Sequence, residues 1–525
     1  MCSISGIILK DEDEPSSLRK EISKHLLMMM RILKHRGPDA SGMLVDDKVL
    51  YFKDFREVKE NITADFSFGH NRLAIVGSAT QPIPNEDESL WVICNGEIYN
   101  YIELREDLSN HNFKTDTDSE VIVHAYEEDM LNELDGEYAY AIYDKNNNSL
   151  ILRRDTFGVK PLFYLDRKDY FAFASERKAL WYLLKKIEGI DGNPKHLNEY
   201  INRLSPNSEL TYYLKDNKYT ITNNLEKLRF DYLKYKSYET CKKELDNALW
   251  NAVWKRTRGI GRVGIIYSGG VDSTLIAKMA SEYCEVILYT VGTEESEDIK
   301  YAERAAKDMG LKLRKKIIME EEYERYIFEV AKAIDELDLM KIGVGIPIYV
   351  ASEMAREDNI KVVLSGQGAD ELFGGYSRYE RILREKGEDE LKKSLLEDVM
   401  NIYKVNLERD DHCTMANSVE LRVPFLDKDV VRVALSIPVT YKMDEMRKRI
   451  LRDIASKYIP DYIAYRPKKA AQYGSGSEKM IFKVAREYGY PKKEINKFFE
   501  EVVLEEVNKS VSPNIILTNR KLNIW

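Results

Sequence analysis

The chain has 525 residues, too many for one hydrophobic core, so two or three domains are expected. Hydrophobic residues make up 44% and charged residues 32%, an ordinary globular balance, and no apolar run is long enough to cross a membrane. The formal net charge of −9 argues against a nucleic-acid-binding surface. Five cysteines (Cys2, Cys94, Cys241, Cys284, Cys413) are odd in number, scattered and free of CxxC, and only seven histidines accompany them. Neither a disulfide framework nor a zinc site is expected from that pattern, and the short apolar run after Cys2 predicts no secretory leader, which makes the cytoplasm the default compartment.

Residues 3–9 begin as a strand. Cys2 before it has a small side chain that suits removal of Met1, which would give one residue both a thiol and a free α-amine. Their ordinary pKa values lie close together, so proton transfer between them costs only about 1 kcal/mol. Residues 16–34 read as an amphipathic helix with Leu18, Ile22, Leu26 and Met29 or Met30 on one face, ended by the turn His35-Arg36-Gly37-Pro38-Asp39. Short strands follow at 42–45, 49–52, 66–76, 90–94, 138–144, 149–154, 162–165 and 170–174, with helices near 101–109 and 118–129. Many strands under a few helices predict a two-sheet α+β layer domain.

Polar clusters punctuate these strands. Arg72 is an isolated cation in an apolar strand, and its fork of donors suits a carboxylate. Asn95-Gly96 reads either as a turn or as a side-chain amide and a backbone N–H offered to an oxyanion. Glu97 and Asp118 could hold an ammonium. One cation, two anions and an oxyanion pair fit the free amino acid glutamine.

Residues 191–237 read as a connector, with turns at Gly192-Asn193-Pro194 and Ser205-Pro206-Asn207 and a polar hairpin-like stretch from Tyr212 to Thr222. Domains are therefore expected over 2–190 and 238–525. A helix at 238–257 precedes the apolar run Val263–Tyr267, the loop Ser268-Gly269-Gly270-Val271-Asp272-Ser273 and a helix from Thr274. Two glycines between a strand and a helix N-terminus let backbone N–H groups converge on an anion. The loop has neither the Gly-Lys-Ser/Thr ending of a Walker A loop nor GxGxxG. Strand 286–291, helix 297–309, strand 312–318, helix 320–333, helix 346–358 and strand 361–365 then alternate as in a doubly wound parallel sheet. Its ligand belongs beyond the carboxyl ends of the strands, where Ser268, Val291 and Ser365-Gly366 fall. Gly343-Val344-Gly345 reads as a loop leading into a helix. Residues beyond 378 read as helical.

The loop at 268–273 resembles the pyrophosphate loop of ATP-pyrophosphatases. More broadly, Cys2, HRGPD at 35–39, RLAIV at 72–76, NGEIYN at 95–100, TDSE at 117–120 and RDxFGVKPLFY at 154–164 resemble a class II glutamine amidotransferase domain. SGGVDS, SGxGADELFGGY at 365–376 and VELRVPFLD at 419–427 follow in the order seen in the glutamine-hydrolysing asparagine synthetase family, and the resemblance spans roughly residues 1–480. It implies an αββα Ntn-hydrolase-like α+β domain, then an α/β doubly wound parallel-sheet domain with a helical C-terminal part.

Carried over, the resemblance makes Cys2 the nucleophile on the glutamine amide, its α-amine the base, and Asn95 with Gly96 the oxyanion hole. Arg72 would bind the glutamine α-carboxylate beside Ile75 and Val76, and Glu97 and Asp118 its ammonium. ATP would lie on Ser268, Gly269, Gly270, Asp272, Ser273, Val291, Ser365 and Gly366, with Asp272 and Asp370 as Mg²⁺ ligands. Lys468, with Lys469 as the neighbouring alternative, would neutralise pyrophosphate. Gln367, Glu420 and Arg422 would shape the acceptor pocket, although Glu420 and Arg422 also read as a structural ion pair. The implied partners are glutamine, ATP and aspartate, with a homodimer as a further expectation.

Two departures from the family stand out. Ser3 replaces the usual Gly after the nucleophile. Gln367 replaces the usual Glu of SGEGxDE, and an amide cannot take a proton at neutral pH. Gln367 keeps open a glutamine-dependent amide synthetase acting on a different carboxylate. A regulatory protein that senses glutamine or nucleotide without turnover is the remaining alternative, against which Cys2, Asp272 and Asp370 speak.

Overall fold

Alternating apolar residues build the first half of the chain into strands that bury both faces. In the computed structural model, residues 2–10, 17–58, 61–223, 237–294, 296–467 and 476–511 are described. They fall into two units, residues 1–225 with 328–338 and 493–525, and residues 226–327 with 339–492.

The first unit contains β1 (Ser3–Leu9), β2 (Ala40–Val45), β3 (Lys48–Phe52), β4 (Phe66–Arg72), β5 (Ile83–Pro84), β6 (Leu90–Ile98), β7 (Gly136–Asp144), β8 (Ser149–Arg154), β9 (Phe163–Asp166), β10 (Tyr170–Ala174), β11 (Asn202–Arg203), β12 (Ser208–Tyr213) and β13 (Lys218–Asn223). One antiparallel sheet has the order β11-β9-β10-β1-β4-β2-β3, the other β13-β12-β8-β7-β6-β5. Ile4, Ile8, Phe66, Phe68, Trp91, Ile93, Ala139, Leu150 and Phe171 meet in the core between the two sheets. The other face of β6, with Val92 and Cys94, packs on Val121, Ile122 and Ala125 of the helix Val121–Glu127. Helices Ser17–Ile32 and Arg177–Ile187 cover the outer face of the first sheet. Sheets buried on both faces, one against the other and each under helices, give the expected αββα layering.

Two expectations change here. The strand expected over 66–76 ends at Arg72, because the Ala74 N–H donates to the Asp39 carboxylate (2.7 Å) and the Arg72 guanidinium turns back to the Gly77 carbonyl (2.5 Å). Asn95-Gly96 is no turn: it lies inside β6, where Asn95 pairs with Ala139 and Gly96 with Tyr138.

In the second unit β14 (Arg262–Ile266), β15 (Glu285–Gly292), β16 (Lys312–Ile317), β17 (Val362–Leu364) and β18 (Glu420–Arg422) form a wholly parallel sheet of order β16-β15-β14-β17-β18. The strand order reverses between β14 and β17, where a doubly wound sheet opens a crevice for its ligand. Strand β18 escapes a reading of the sequence because it is three residues long. The helix expected at 346–358 runs instead from Leu339 to Glu357, so Gly343-Val344-Gly345 is helical and not a loop. Gly343 and Gly345 are buried, and this helix packs against Glu408–Met415. No helix among the described residues is long and apolar enough to cross a membrane.

A buried ion network secures the start of β1. Arg36 donates through Nε to the Cys2 carbonyl (3.2 Å) and through Nη1 to Glu176 Oε1 (2.7 Å). Glu176 also meets His35 (3.1 Å) and Lys178 (3.0 Å), and Lys178 reaches Asp335 (3.1 Å). Burial alone would raise the Glu176 carboxyl, but His35, Lys178 and Arg36 outweigh it and hold it well below the usual range. Burial pushes Asp335 up to about 7. Removing one member of such a network strands its partners' charge. Glu176→Gln should therefore cost about 3–5 kcal/mol, read as a lower urea midpoint at unchanged slope.

Candidate functional site

In β1, Ile4 and Ile8 face the inter-sheet core, so alternation puts Cys2 on the same side. In β6, Trp91 and Ile93 face that core too, which aims Asn95 and Glu97 into the same space, across from the small Ala139. Strands β1 and β6 touch across the layer. Cys2 is buried, and Asn95 is fully buried with neither amide atom hydrogen-bonded. A buried amide without a partner costs roughly 1–3 kcal/mol, and such strain persists where a ligand collects the bond. Gly96 has φ +147°, and a Cβ there would lie 2.0 Å from the Glu137 carbonyl, so only glycine fits.

The Ser3 departure has a structural account. Its hydroxyl accepts from Asn71 Nδ2 (2.9 Å), and the same nitrogen donates to the Met30 carbonyl (2.8 Å). Ser3 therefore ties β1 to β4 and to the covering helix, on the face opposite Cys2.

Arg72 ends β4, and its guanidinium closes the loop carrying Ile75 and Val76. Gly77 in that loop has φ +63°, and a Cβ there would meet Thr117 Cα at 2.7 Å. The Ser78 N–H donates to Asp116 (2.8 Å), and Asp118 accepts from the Ile98 N–H (2.8 Å). The Arg72 loop, the Thr117-Asp118 turn and the end of β6 beyond Glu97 are thus drawn together.

In the second unit a cavity of about 630 Å³ opens at the switch between β14 and β17. It is lined by Ser268, Gly270, Asp272, Ser273, Val291, Ser365, Gly366, Gln367 and Asp370, as the sequence reading expects. Gly269 is not in the lining: with φ +69° it turns the loop onto Ala302, and its carbonyl accepts from Arg466 (3.4 Å). Gly366 must be glycine because a Cβ would come within 2.9 Å of Asp272 Cβ.

Among the described residues, this cavity holds a lysine that the sequence reading does not name. Lys468 and Lys469 lie outside the described residues. Lys448 is buried in the lining, 2.6 Å from Asp272 Oδ2 and 2.5 Å from Asp370 Oδ1. Burial lowers its ammonium pKa, and Asp272 pulls it back up. The Arg447-Lys448-Arg449 triplet looks like any solvated basic run, so its sequence holds no signal. Arg452 and Arg466 line the same cavity. Three cations beside a glycine loop at a helix N-terminus suit a polyphosphate. Two carboxylates converging on one point fit a hard divalent cation.

Glu420 and Arg422 do not line the cavity. Both are buried in β18, where Arg422 Nε donates to Glu420 Oε1 (2.7 Å) and Nη1 to the carbonyl of Arg256 on the helix Tyr238–Thr257 (2.7 Å), which ties the edge strand to that helix. Gln367 lines the cavity and donates through Nε2 to Asp410 Oδ2 (2.6 Å). Asp410 is buried and paired with Arg409 (2.6 Å), and burial raises its pKa. A glutamate at 367 would face that carboxylate with another; glutamine meets it with a donor.

Comparison with known proteins agrees with both halves. Residues 1–226 match the family described as glutamine amidotransferase domain, and residues 244–510 the family described as asparagine synthase. A Methanocaldococcus jannaschii protein provisionally named asparagine synthetase (glutamine-hydrolyzing) 1 is 63% identical, over 95% of this chain and 98% of its own. Asparagine synthetase (glutamine-hydrolyzing) 1 of Bacillus subtilis is 30% identical over 89% and 86%, and asparagine synthetase B of Escherichia coli 30% over 91% and 83%. With the glutamine-side constellation in one unit and the glycine loop, paired acids and lysine in the other, the chain belongs to the glutamine-hydrolysing asparagine synthetase family.

Proposed function

We propose that residues 2–190, with strands β11, β12 and β13 completing their two sheets, hydrolyse glutamine, and that residues 238–525 adenylate aspartate. Cys2 Sγ attacks the glutamine amide carbon while its α-amine takes the thiol proton. Asn95 Nδ2 and the Gly96 N–H donate to the oxyanion, ammonia leaves with that proton, and water releases glutamate from the thioester. Arg72, beside Ile75 and Val76, holds the α-carboxylate, and Glu97 and Asp118 the ammonium.

On the synthetase side Ser268, the Gly269-Gly270 backbone, Ser273, Val291, Ser365 and Gly366 hold ATP. The aspartate side-chain carboxylate displaces pyrophosphate from the α-phosphorus, and Lys448 neutralises the charge that builds on the departing group. Mg²⁺ held by Asp272 and Asp370 would add positive charge to the phosphates when bound. Ammonia then attacks the acyl-adenylate, giving asparagine and AMP. The carboxylate that the family carries at position 367 is supplied one hydrogen bond away, by Asp410. The observation that carries this reading is the ammonium of Lys448 against Asp272 and Asp370 in the cavity at the sheet's switch point. We place the enzyme in the cytoplasm, and sedimentation of the full chain tests the homodimer suggested by the family.

Release of AMP and pyrophosphate from ATP and glutamine should depend on aspartate and match asparagine formed; glutamate release without aspartate-dependent AMP would sink the acceptor assignment. Asn95→Ala should slow glutamine hydrolysis about 10²–10³-fold while asparagine synthesis from added ammonia persists. Gln367→Glu sets two carboxylates together, so their folded pKa rises above the unfolded value. Its stability should match the parent below the ordinary carboxylate range and fall behind as pH rises to 8, read as urea midpoints.

A further inference from the structure

Four side chains in the first unit, away from the residues assigned to glutamine, offer ligand atoms to a single point. They are Glu86 in the turn between β5 and β6, His111 after the helix Tyr101–Asp107, and His124 and Glu127 on the helix Val121–Glu127. Among the described residues theirs is the His/Cys/Asp/Glu group whose ligand atoms all lie within 4.8 Å of one another. The inward nitrogens are His111 Nδ1 and His124 Nδ1. Glu127 Oε2 lies 3.0 Å from His124 Nδ1 and 3.6 Å from His111 Nδ1. Glu86 oxygens lie 3.4 Å from His111 Nδ1 and 3.6 Å from His124 Nδ1. A tetrahedral zinc ion with bonds of about 2.0–2.1 Å holds its ligand atoms about 3.3–3.4 Å apart, and the four His–Glu distances of 3.0 to 3.6 Å bracket that spacing.

The surroundings of the imidazoles point the same way. Each turns its outer nitrogen to another carboxylate: His111 Nε2 to Glu128 (3.0 Å) and His124 Nε2 to Glu120 (3.9 Å). For His111, donation from Nε2 fixes the tautomer that leaves the Nδ1 lone pair facing inward, as ligating histidines do, whereas the buried Nε2 of His124 makes no hydrogen bond and its Nδ1 meets Glu127 Oε2. The carboxylates are held too. Glu127 Oε1 accepts from Asn85 Nδ2 (2.9 Å), Glu86 Oε1 from the Asn112 N–H (2.8 Å), and Glu120 from the N–H groups of Lys114 and Thr115. His124 is fully buried and His111 nearly so, while Glu86 and Glu127 stand at the surface, which leaves an entry path.

We propose that Glu86, His111, His124 and Glu127 form a structural site for a zinc-class divalent cation. The ion would clamp the β5–β6 turn and the segment around His111 onto the helix that follows Asp118. With four protein ligands it has no open position for chemistry. Mixed imidazole and carboxylate donors favour zinc over magnesium or calcium.

The competing account is a set of His–Glu ion pairs with no metal. The full chain, stripped with a chelator, should bind one equivalent of Zn²⁺ that His111→Ala loses, and Co²⁺ in its place should show tetrahedral visible bands that vanish in the same variant. Glu128→Gln, which keeps all four ligands, should weaken Zn²⁺ about 10–100-fold. Far-ultraviolet circular dichroism and retained glutamine hydrolysis would show that His111→Ala is folded. Absence of a bound equivalent in the parent chain, or an equivalent retained by His111→Ala, overturns the proposal.

Discussion

One ammonium between two carboxylates organises the synthetase half. Lys448, Asp272 and Asp370 come from three distant stretches, and each sits on backbone that could not come so close with ordinary side chains nearby. Gly366 lets the β17 loop pass Asp272, and a Cβ at Gly375 would fall 1.8 Å from Asp370 Oδ1 and 2.4 Å from Lys448 Cε. The parallel sheet makes this possible by ending β14 and β17 side by side at the switch point. Charge and sterics therefore select the same glycines, and the anion site follows from both.

The glutamine half rests on a comparable constraint. Cys2 precedes a strand held on both sides, by β10 and by β4, and its carbonyl is tied through Arg36 to the buried Glu176. Arg36, Lys178 and His35 together keep that carboxylate ionised in a place where burial opposes charge. The backbone at Cys2 is thus fixed by ordinary sheet pairing, leaving its thiol and the Asn95 amide to face the same inter-sheet space.

Much of this was legible in the residues. Alternation in β1 and β6 is a local property, so the burial of one residue fixes the side of the next. Glycines at 96, 269 and 366 announce close approaches that any other residue would block. Gln367 by itself leaves the acceptor carboxylate open. Beside Asp410 it is a complementary donor, and 43 positions separate the two. Glu420 and Arg422 read either as acceptor-pocket residues or as a structural ion pair, and β18 buries them against each other and the Arg256 carbonyl.

What the sequence determined by itself is the chemistry that short segments carry: a thiol just before a strand, a glycine loop between strand and helix, and the period of each element. These depend on neighbours within one turn or one strand. Tertiary structure alone decided which distant charges meet. Lys448 at the two aspartates and His111 with His124 at two glutamates are held by contacts across loops and helices, and single charged or imidazole side chains have no periodicity to betray such meetings. Their partners are chosen by the fold, because a buried charge is tolerated only where the packing of other segments brings its counter-charge.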